Sequence, residues 1–198
     1  NIFESVNKLP NGKFEIKLTP EGKRCEFLKF LINTSNFWSE QDYVTEEEKA
    51  RWNQHSLNKI TSIGYLLNDF KYQTELKAVI AMDGQMGDIG QSNGRTGKSL
   101  IGMALNQMME QTTIDGRNTK NDDDFLYSNV TPQTRNIFLD DVKVNFDFGR
   151  FCFAITGDLQ INPKGMARYT IRQEKSPKFY ITTNHAISSA SPPRRECT

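Results

Sequence analysis

The sequence predicts an α/β fold, and two observations support that prediction. β-prone apolar runs alternate along the chain with segments whose apolar residues recur at helical spacing, as in strands joined by helices. One run, residues 78–82, precedes a glycine-rich stretch and then a helical face that begins near Leu100. Strand, glycine loop and helix follow one another in a phosphate-binding unit. We therefore expect a core built on a parallel central sheet.

Composition narrows the class of protein. The 198 residues carry 25 Lys and Arg against 24 Asp and Glu, a net charge of +1, which excludes a histone-like or an acidic-tail protein. The hydrophobic share of 36 % suffices for a globular core. The longest apolar stretch, residues 151–155, is too short to cross a bilayer, so we expect no membrane partner.

Two regions are predicted. Residues 1–75 form a small, mostly helical N-terminal domain, apart from a short alternating run at Phe14, Ile16 and Leu18 that indicates a strand. Thr45 and Glu48 fit a capping box ahead of a long helical stripe. Residues 76–198 form the second region, the α/β core. Because the chain opens without an initiator Met, we expect a piece of a longer protein.

The glycine-rich stretch ends in a sequence typical of a phosphate-binding loop. Gly97, Lys98 and Ser99 match the end of the G-x-x-x-x-G-K-[ST] pattern, in which backbone N–H groups and the lysine bind phosphates and the hydroxyl binds Mg²⁺. Ser92 stands where the first glycine is usual. The alternative is an ordinary glycine-rich turn. The predicted nucleotide-binding residues are Ser92, Asn93, Gly94, Arg95, Thr96, Gly97, Lys98, Ser99 and Leu100.

Two acids follow another β-prone run. Residues 136–139 end in Asp140 and Asp141. Phosphoryl transfer to water needs one acid near the Mg²⁺ and a second that orients or deprotonates the water. We therefore predict that Asp140 holds the metal together with Ser99 and that Asp141 acts as the base. A strand ending in a solvated acidic turn is the alternative interpretation.

A β-hairpin is predicted further along the chain. Residues 162–165 have the chemistry of a type I turn, with Asn first, Pro second and Gly fourth. Apolar residues alternate on both sides. Lys164 then lies at the tip, and Arg168 lies on the face opposite the apolar set. A solvated basic loop is the alternative to a binding element.

The order of these segments resembles the superfamily 3 helicases. The segments are Gly97-Lys98-Ser99, Asp140-Asp141, residues 156–165 and residues 176–184. The closest likeness is to primase–helicase proteins of phages, poxviruses and integrated elements, and it covers roughly residues 76–195. It implies an AAA+-like P-loop core with a hairpin insertion and a truncated C-terminal end.

The resemblance also implies roles and partners. Asn184 would be a polar sensor beside the γ-phosphate, and Arg194 or Arg195 would be an arginine finger. Lys164 and Arg168 would contact DNA. The implied activity is ATP hydrolysis with Mg²⁺, coupled to translocation on single-stranded DNA by a homo-oligomer, a hexameric ring, with a possible primase domain in the same polypeptide. The implied location is the cytoplasm of a bacterial or phage-infected cell.

Two other functions stay open at this point. One is an AAA+-type remodelling or packaging ATPase. The other is a single-strand-binding or assembly module whose degenerate P-loop no longer hydrolyses ATP. The departures that keep the second alternative open are Ser92 in place of glycine, and Asp141 where the helicases more often have Glu.

Overall fold

The computed structural model describes residues 2–36, 43–72, 74–83, 96–119, 123–143, 146 and 148–185. The chain divides into two compact units, Asn1–Tyr65 and Leu66–Thr198. The division lies earlier in the chain than the predicted boundary after residue 75.

The first unit combines a hairpin with helices. Strands β1 (Phe3–Lys8) and β2 (Phe14–Leu18) pair antiparallel. Helices α1 (Pro20–Arg24), α2 (Glu26–Ser35) and α3 (Glu46–Leu67) follow. The predicted strand and the predicted helix after Thr45 are present, whereas β1 was not predicted.

The start of α3 has the predicted capping box. The Thr45 hydroxyl accepts a hydrogen bond from the Glu48 N–H at 3.2 Å, and the Glu48 carboxylate accepts from the Thr45 N–H at 2.9 Å. These two bonds satisfy backbone donors that a helix start leaves without intrahelical partners.

The second unit is an α/β domain. Its elements, in chain order, are β3 (Ala78–Ala81), α4 (Lys98–Asn106), β4 (Gln111–Asp115), β5 (Asn136–Val142), α5 (Phe148–Thr156), β6 (Leu159–Ile161), β7 (Tyr169–Ile171), a 3₁₀ turn (Gln173–Lys175) and β8 (Lys178–Thr183). Four strands form a parallel sheet in the order β3-β8-β5-β4. The prediction of an α/β fold with a parallel sheet is therefore confirmed, although β4 was not predicted.

The two central strands present different faces to different layers. Ile137 and Leu139 of β5 and Phe179 and Ile181 of β8 belong to the main apolar core, together with α5 and the β6–β7 pair. Side chains alternate along a strand, and the intervening Phe138 and Tyr180 stack with ring centroids 5.3 Å apart.

Helix α4 lies against this second face. A Cβ on Gly102 would come within 2.3 Å of the Phe138 ring, so the helix approaches the sheet closely at this glycine. The Tyr180 hydroxyl donates to the Lys98 carbonyl at 2.9 Å. These contacts fix the beginning of α4 beside the strands that carry the candidate site.

The hairpin is present, but its turn is displaced by one residue from the prediction. Strands β6 and β7 pair antiparallel, with Leu159 opposite Ile171. The Pro163 carbonyl accepts from the Met166 N–H at 3.5 Å, and Gly165 has a φ of +72°. A positive φ at the third turn position is typical of type II rather than type I, so the predicted turn over residues 162–165 is wrong.

Among the helices of the described residues, none has the length and apolar character that crossing a membrane requires.

Candidate functional site at the carboxyl edge of the sheet

Polar side chains from β3, β5 and β8 meet where these strands end. Strands in a parallel sheet point the same way, so their carboxyl ends share one edge, and ligands of open α/β sheets bind there. Asp83 follows β3, Asp140 and Asp141 lie in the last half of β5, and Asn184 follows β8. Helix α4 begins at this edge with Lys98.

Gly97 makes the turn into α4 possible. It is the N-cap residue of the helix and has a φ of +82° and a ψ of 8°, in the left-handed region. A side chain would strain this backbone, whereas glycine adopts it readily. Lys98 and Ser99 therefore occupy the first helical turn, where N–H groups and the helix dipole favour an anion.

Ser99 contacts Asp140 directly. The Ser99 hydroxyl donates to Asp140 Oδ1 at 2.7 Å, and the Thr182 hydroxyl donates to the same oxygen at 2.8 Å. The Ser99 and Asp140 pair that the sequence assigned to a metal is thus brought together, and Thr182 of β8 fixes the carboxylate from the other side.

Lys98 is held by three oxygen atoms. Its Nζ forms an ion pair with Asp83 Oδ1 and donates to Thr96 Oγ1 at 3.0 Å and to Asn184 Oδ1 at 2.9 Å. The Lys98 side chain is only 12 % exposed and that of Asp83 only 5 %, so this ion pair is shielded from water. The ammonium is therefore fixed at the site by these three oxygen atoms.

The second oxygen of Asp83 differs from the first. Asp83 Oδ2 is buried and, within the described part of the chain, has no hydrogen-bond partner. Buried polar atoms are normally hydrogen-bonded. This oxygen is consequently a point where the site accepts a further donor.

Asp141 lies at an irregular point of β5. Its φ is +58°, and the pairing of β5 with β8 shifts register between Leu139 and Val142. Its N–H donates to the Thr182 hydroxyl at 2.8 Å. Its carboxylate accepts from Asn184 Nδ2 at 2.9 Å and from Arg117 Nε at 2.6 Å. At this irregular point of the strand, the Asp141 carboxylate lies within hydrogen-bond distance of Asn184 and Arg117.

Charge perturbs two groups around these acids. The hydrogen bond and charge of Asp141 raise the pKa of Arg117, which stays cationic at any physiological pH. Burial, together with the nearby Asp140 charge, raises the pKa of Tyr180 well above its usual range. Tyr180 is therefore a neutral hydrogen-bond donor that supports the start of α4.

The structure brings together most of the predicted residues that it describes. Thr96, Gly97, Lys98, Ser99, Asp140, Asp141 and Asn184 lie in one connected set of contacts. Leu100 lies in the same turn of α4, but its side chain is half exposed. The predicted Ser92, Asn93, Gly94, Arg95, Arg194 and Arg195 lie outside the described residues.

The predicted DNA contacts lie on the hairpin. Lys164 is exposed in the turn, and Arg168 is exposed and donates from Nε to Asn162 Oδ1 at 3.2 Å. Within the described residues, no hydrogen bond or ion pair joins Lys164 or Arg168 to the carboxyl edge.

Sequence reasoning missed three members of the site: Asp83, Arg117 and Thr182. Asp83 is separated from Lys98 by the glycine-rich stretch, and Arg117 lies in a polar loop after the unpredicted β4. One signal was available for Thr182, because it belongs to the predicted strand that ends beside Asn184.

The site can bind anions and cations side by side. It offers an ammonium and the N–H groups of the first turn of α4 next to a hydroxyl and two carboxylates, a set that suits phosphate oxygens and a hard divalent cation. No group of three or more His, Cys, Asp and Glu side chains in the described residues is placed to hold a metal ion alone.

Comparison with known proteins gives one relative and no family. The chain matches no family model. It is 31 % identical over 117 residues to the Regulator of rDNA transcription 14 of the yeast Candida dubliniensis, a match that covers 59 % of this chain and 50 % of that protein. The chain thus spans about half the length of this curated relative.

This relative contradicts the resemblance to superfamily 3 helicases. A yeast regulator of rDNA transcription is not a phage-type primase–helicase, so the predicted family and the predicted replicative helicase function are wrong. The resemblance depended on four short segments of two to ten residues that contain strand ends, a turn or a helix start. Such segments recur wherever a parallel sheet places polar groups at its carboxyl edge.

Proposed function

We propose that the carboxyl edge binds ATP with Mg²⁺ and hydrolyses it. One observation carries this proposal: Ser99 in the first turn of α4 donates to Asp140 at 2.7 Å, beside the shielded Lys98. A lysine and a hydroxyl at a helix start, next to a strand-end acid, are the groups that phosphate and Mg²⁺ binding requires.

The proposal also implies a particular type of α/β fold for the second unit. Strand β3, the left-handed Gly97 and the start of α4 correspond to the strand, loop and helix of a P-loop, and β5 supplies the acids. We therefore propose a P-loop NTPase core for the second unit.

The residues present fit Mg²⁺. This ion is held by one or two protein oxygens and keeps waters and phosphate oxygens as its other ligands. Ser99 and Asp140 would hold it, and the buried Asp83 Oδ2 offers an acceptor for a water nearby. When bound, Mg²⁺ neutralises charge on the transferred phosphoryl group.

Phosphate binding would change the partners of the Lys98 ammonium. In the structure Lys98 is bound to Asp83 and Asn184. Phosphate oxygens would compete with these acceptors for the ammonium, because negatively charged oxygens form strong, charge-assisted hydrogen bonds with it. Binding therefore exchanges the partners of Lys98 rather than creating a new charge at the site.

Asn184 would orient the attacking water, and Asp141 would accept its proton. Their side chains are joined at 2.9 Å, and Arg117 holds the other carboxylate oxygen of Asp141. The amide orients the water, and the carboxylate accepts its proton. Arg117 also restrains the position of that carboxylate.

The test is ATP binding and turnover by the purified chain. We expect Mg²⁺-dependent binding by calorimetry and release of inorganic phosphate. Lys98→Ala should reduce both by at least about 100-fold, because an electrostatic partner of the phosphates is lost. Lys164→Ala removes the same charge from the exposed hairpin and should leave both unchanged.

Absence of ATP binding in the folded wild-type chain would contradict the proposal. Equal binding by Lys98→Ala and wild type would also contradict it. The predicted homo-oligomer remains a prediction, which sedimentation of the purified chain can test.

A further inference from the structure

A second polar region lies at the opposite, amino edge of the same sheet. A cavity of about 260 Å³ opens there, between the segment that follows α3 and the starts of β5 and β8. Its charged lining residues are Lys71, Arg135, Lys175, Lys178, Asp69 and Glu174. Four basic groups thus face two acidic ones. We call this space the amino-edge cavity.

The basic side chains are anchored by backbone carbonyls. Lys178 donates to the Asn68 carbonyl, and Arg135 donates to the Leu67 carbonyl at 2.9 Å. These bonds satisfy the C-terminal end of α3, where cations are favourable. Arg135 also pairs with Asp69, which neutralises one of the two acids of the cavity.

Lys71 is held less completely. Its Nζ donates to Ser176 Oγ at 2.6 Å and to the Pro177 carbonyl at 3.0 Å. An ammonium has three N–H donors. Within the described residues, Lys71 therefore has donor capacity beyond these two acceptors, neither of which carries a negative charge.

The cavity is electrostatically strained. Burial, together with the charge of Lys178, lowers the pKa of Lys71 to about 8, and burial lowers the pKa of Lys178 as well. Two ammonium groups near each other favour an anion between or beside them. The cavity is large enough for one phosphate group and smaller than a typical pocket for a whole small molecule.

An exposed aromatic pair flanks Lys71 in the sequence. The side chains of Phe70 and Tyr72 are 61 % and 62 % exposed, and their rings make an edge-to-face contact with centroids 4.5 Å apart. Neither ring joins the apolar core. Two solvent-exposed rings beside a basic cavity match what a single nucleic-acid strand needs, because bases stack on rings while lysines bind the backbone.

We propose that this amino-edge surface binds single-stranded nucleic acid, with a backbone phosphate in the amino-edge cavity and a base on the Phe70–Tyr72 pair. The exposed rings favour a strand over a free anion, which would gain nothing from them. They also favour unpaired bases over a duplex, because stacking requires an open base face. The surface is separate from the carboxyl edge and does not depend on ATP hydrolysis.

The test is fluorescence anisotropy with a labelled single strand of about 12 nucleotides, as DNA and as RNA. The expected result is salt-sensitive binding. Phe70→Ala combined with Tyr72→Ala should weaken it about tenfold or more, because each stacked base contributes substantially. Lys71→Gln should weaken binding and reduce the salt slope by about one phosphate contact.

Matched controls test the same chemistry elsewhere. Phe153→Ala removes another largely exposed ring, and Lys23→Gln removes an exposed charge from α1. Both should bind like wild type. Because Phe70 and Tyr72 are exposed, their replacement should also leave the thermal midpoint unchanged.

Two outcomes would overturn the proposal. One is equal strand affinity in wild type, Lys71→Gln and the double aromatic variant. The other is saturable binding of inorganic phosphate that Lys71→Gln abolishes, while no strand binds at all, since the cavity would then serve a free anion. ATP turnover, measured in the same preparations, separates this proposal from the one for the carboxyl edge.

Discussion

The charged side chains at the two edges of the parallel sheet have different kinds of partners. At the carboxyl edge Lys98 pairs with Asp83, and Arg117 pairs with Asp141. Asp140 accepts from two hydroxyl groups. At the amino edge, Lys71 donates to two uncharged oxygens. Burial and the charge of Lys178 lower the pKa of Lys71, and burial lowers the pKa of Lys178. Both cations named at the first edge are thus paired with acids, whereas basic groups outnumber acidic ones in the lining of the amino-edge cavity.

This difference predicts how each edge responds to a ligand. At the carboxyl edge, an anion must displace an existing partner, so binding depends on exchange and on precise geometry. At the amino edge, an anion adds an acceptor for the Lys71 ammonium, so binding depends mainly on charge and falls with salt. Substitutions at the two edges should therefore be separable in their effects.

The largest expected effect is on turnover. Asp141→Asn should lower the rate of ATP hydrolysis by about 100-fold to 1,000-fold, because an amide cannot accept the proton of the attacking water. ATP affinity should change little. Phosphate release and calorimetry measure the two quantities, and the strand affinity of the amino edge should stay at its wild-type value. A fall in ATP affinity as large as the fall in rate would place Asp141 in binding rather than in proton transfer.

The next effect concerns the helix that builds the carboxyl edge. Gly102→Ala should lower the free energy of unfolding by about 2–3 kcal/mol, since the new methyl group overlaps the Phe138 ring at 2.3 Å. Gly64→Ala in α3 meets nothing within 4 Å and should raise it by about 0.5–1 kcal/mol through helix propensity. Denaturant unfolding compares the pair. An unchanged midpoint in Gly102→Ala would show that α4 does not depend on this close approach.

A smaller effect tests the exchange of partners by Lys98. Asp83→Asn should increase affinity for Mg²⁺ and ATP about threefold to tenfold, because a neutral amide competes less strongly for the ammonium than a carboxylate does. Thr96→Val, which removes a neutral acceptor of the same ammonium, should have less effect. Weaker ATP binding by Asp83→Asn would mean that Asp83 positions Lys98 for the phosphates.

The smallest expected effect is a pH dependence at the amino edge. Burial lowers the folded-state pKa of Lys71 to about 8, below the 10.5 of a solvated lysine, so the unfolded chain binds more protons between these values. Stability should therefore rise with pH across this window, and the deficit should be complete below pH 8. Lys71→Met should remove about 1 kcal/mol of that rise, measured by denaturant unfolding at both ends of the window. Identical pH profiles would contradict the burial of this ammonium.

The sequence predicted elements that have strong local patterns. Strand β8 and helix α4 have the predicted type because their apolar runs and helical spacing decide it locally. Strand β4 was missed because its edge position needs few apolar residues, and three of its five residues are Gln or Thr. The hairpin was predicted, whereas its turn moved by one residue, because Gly165 takes the positive φ.

The candidate site was predictable only in part. Gly97, Lys98 and Ser99 are contiguous, and Asp140 and Asp141 end a strand, so spacing revealed them. The Asp83 contact with Lys98 and the Arg117 contact with Asp141 depend on how separate loops fold back on the sheet edge. The spacing of residues along the sequence does not reveal where these loops lie in the fold. The family assignment failed for the related reason that short polar segments report local chemistry rather than ancestry.

The left-handed backbone of Asp141 limits which residues evolution could place there. Among acidic residues, Asp tolerates a φ of +58° better than Glu, since a short polar side chain can bond locally. Glycine would relax the backbone by about 1 kcal/mol or more. Stability and chemistry therefore make opposite demands at residue 141: glycine suits the backbone, whereas only an acidic residue supplies the carboxylate.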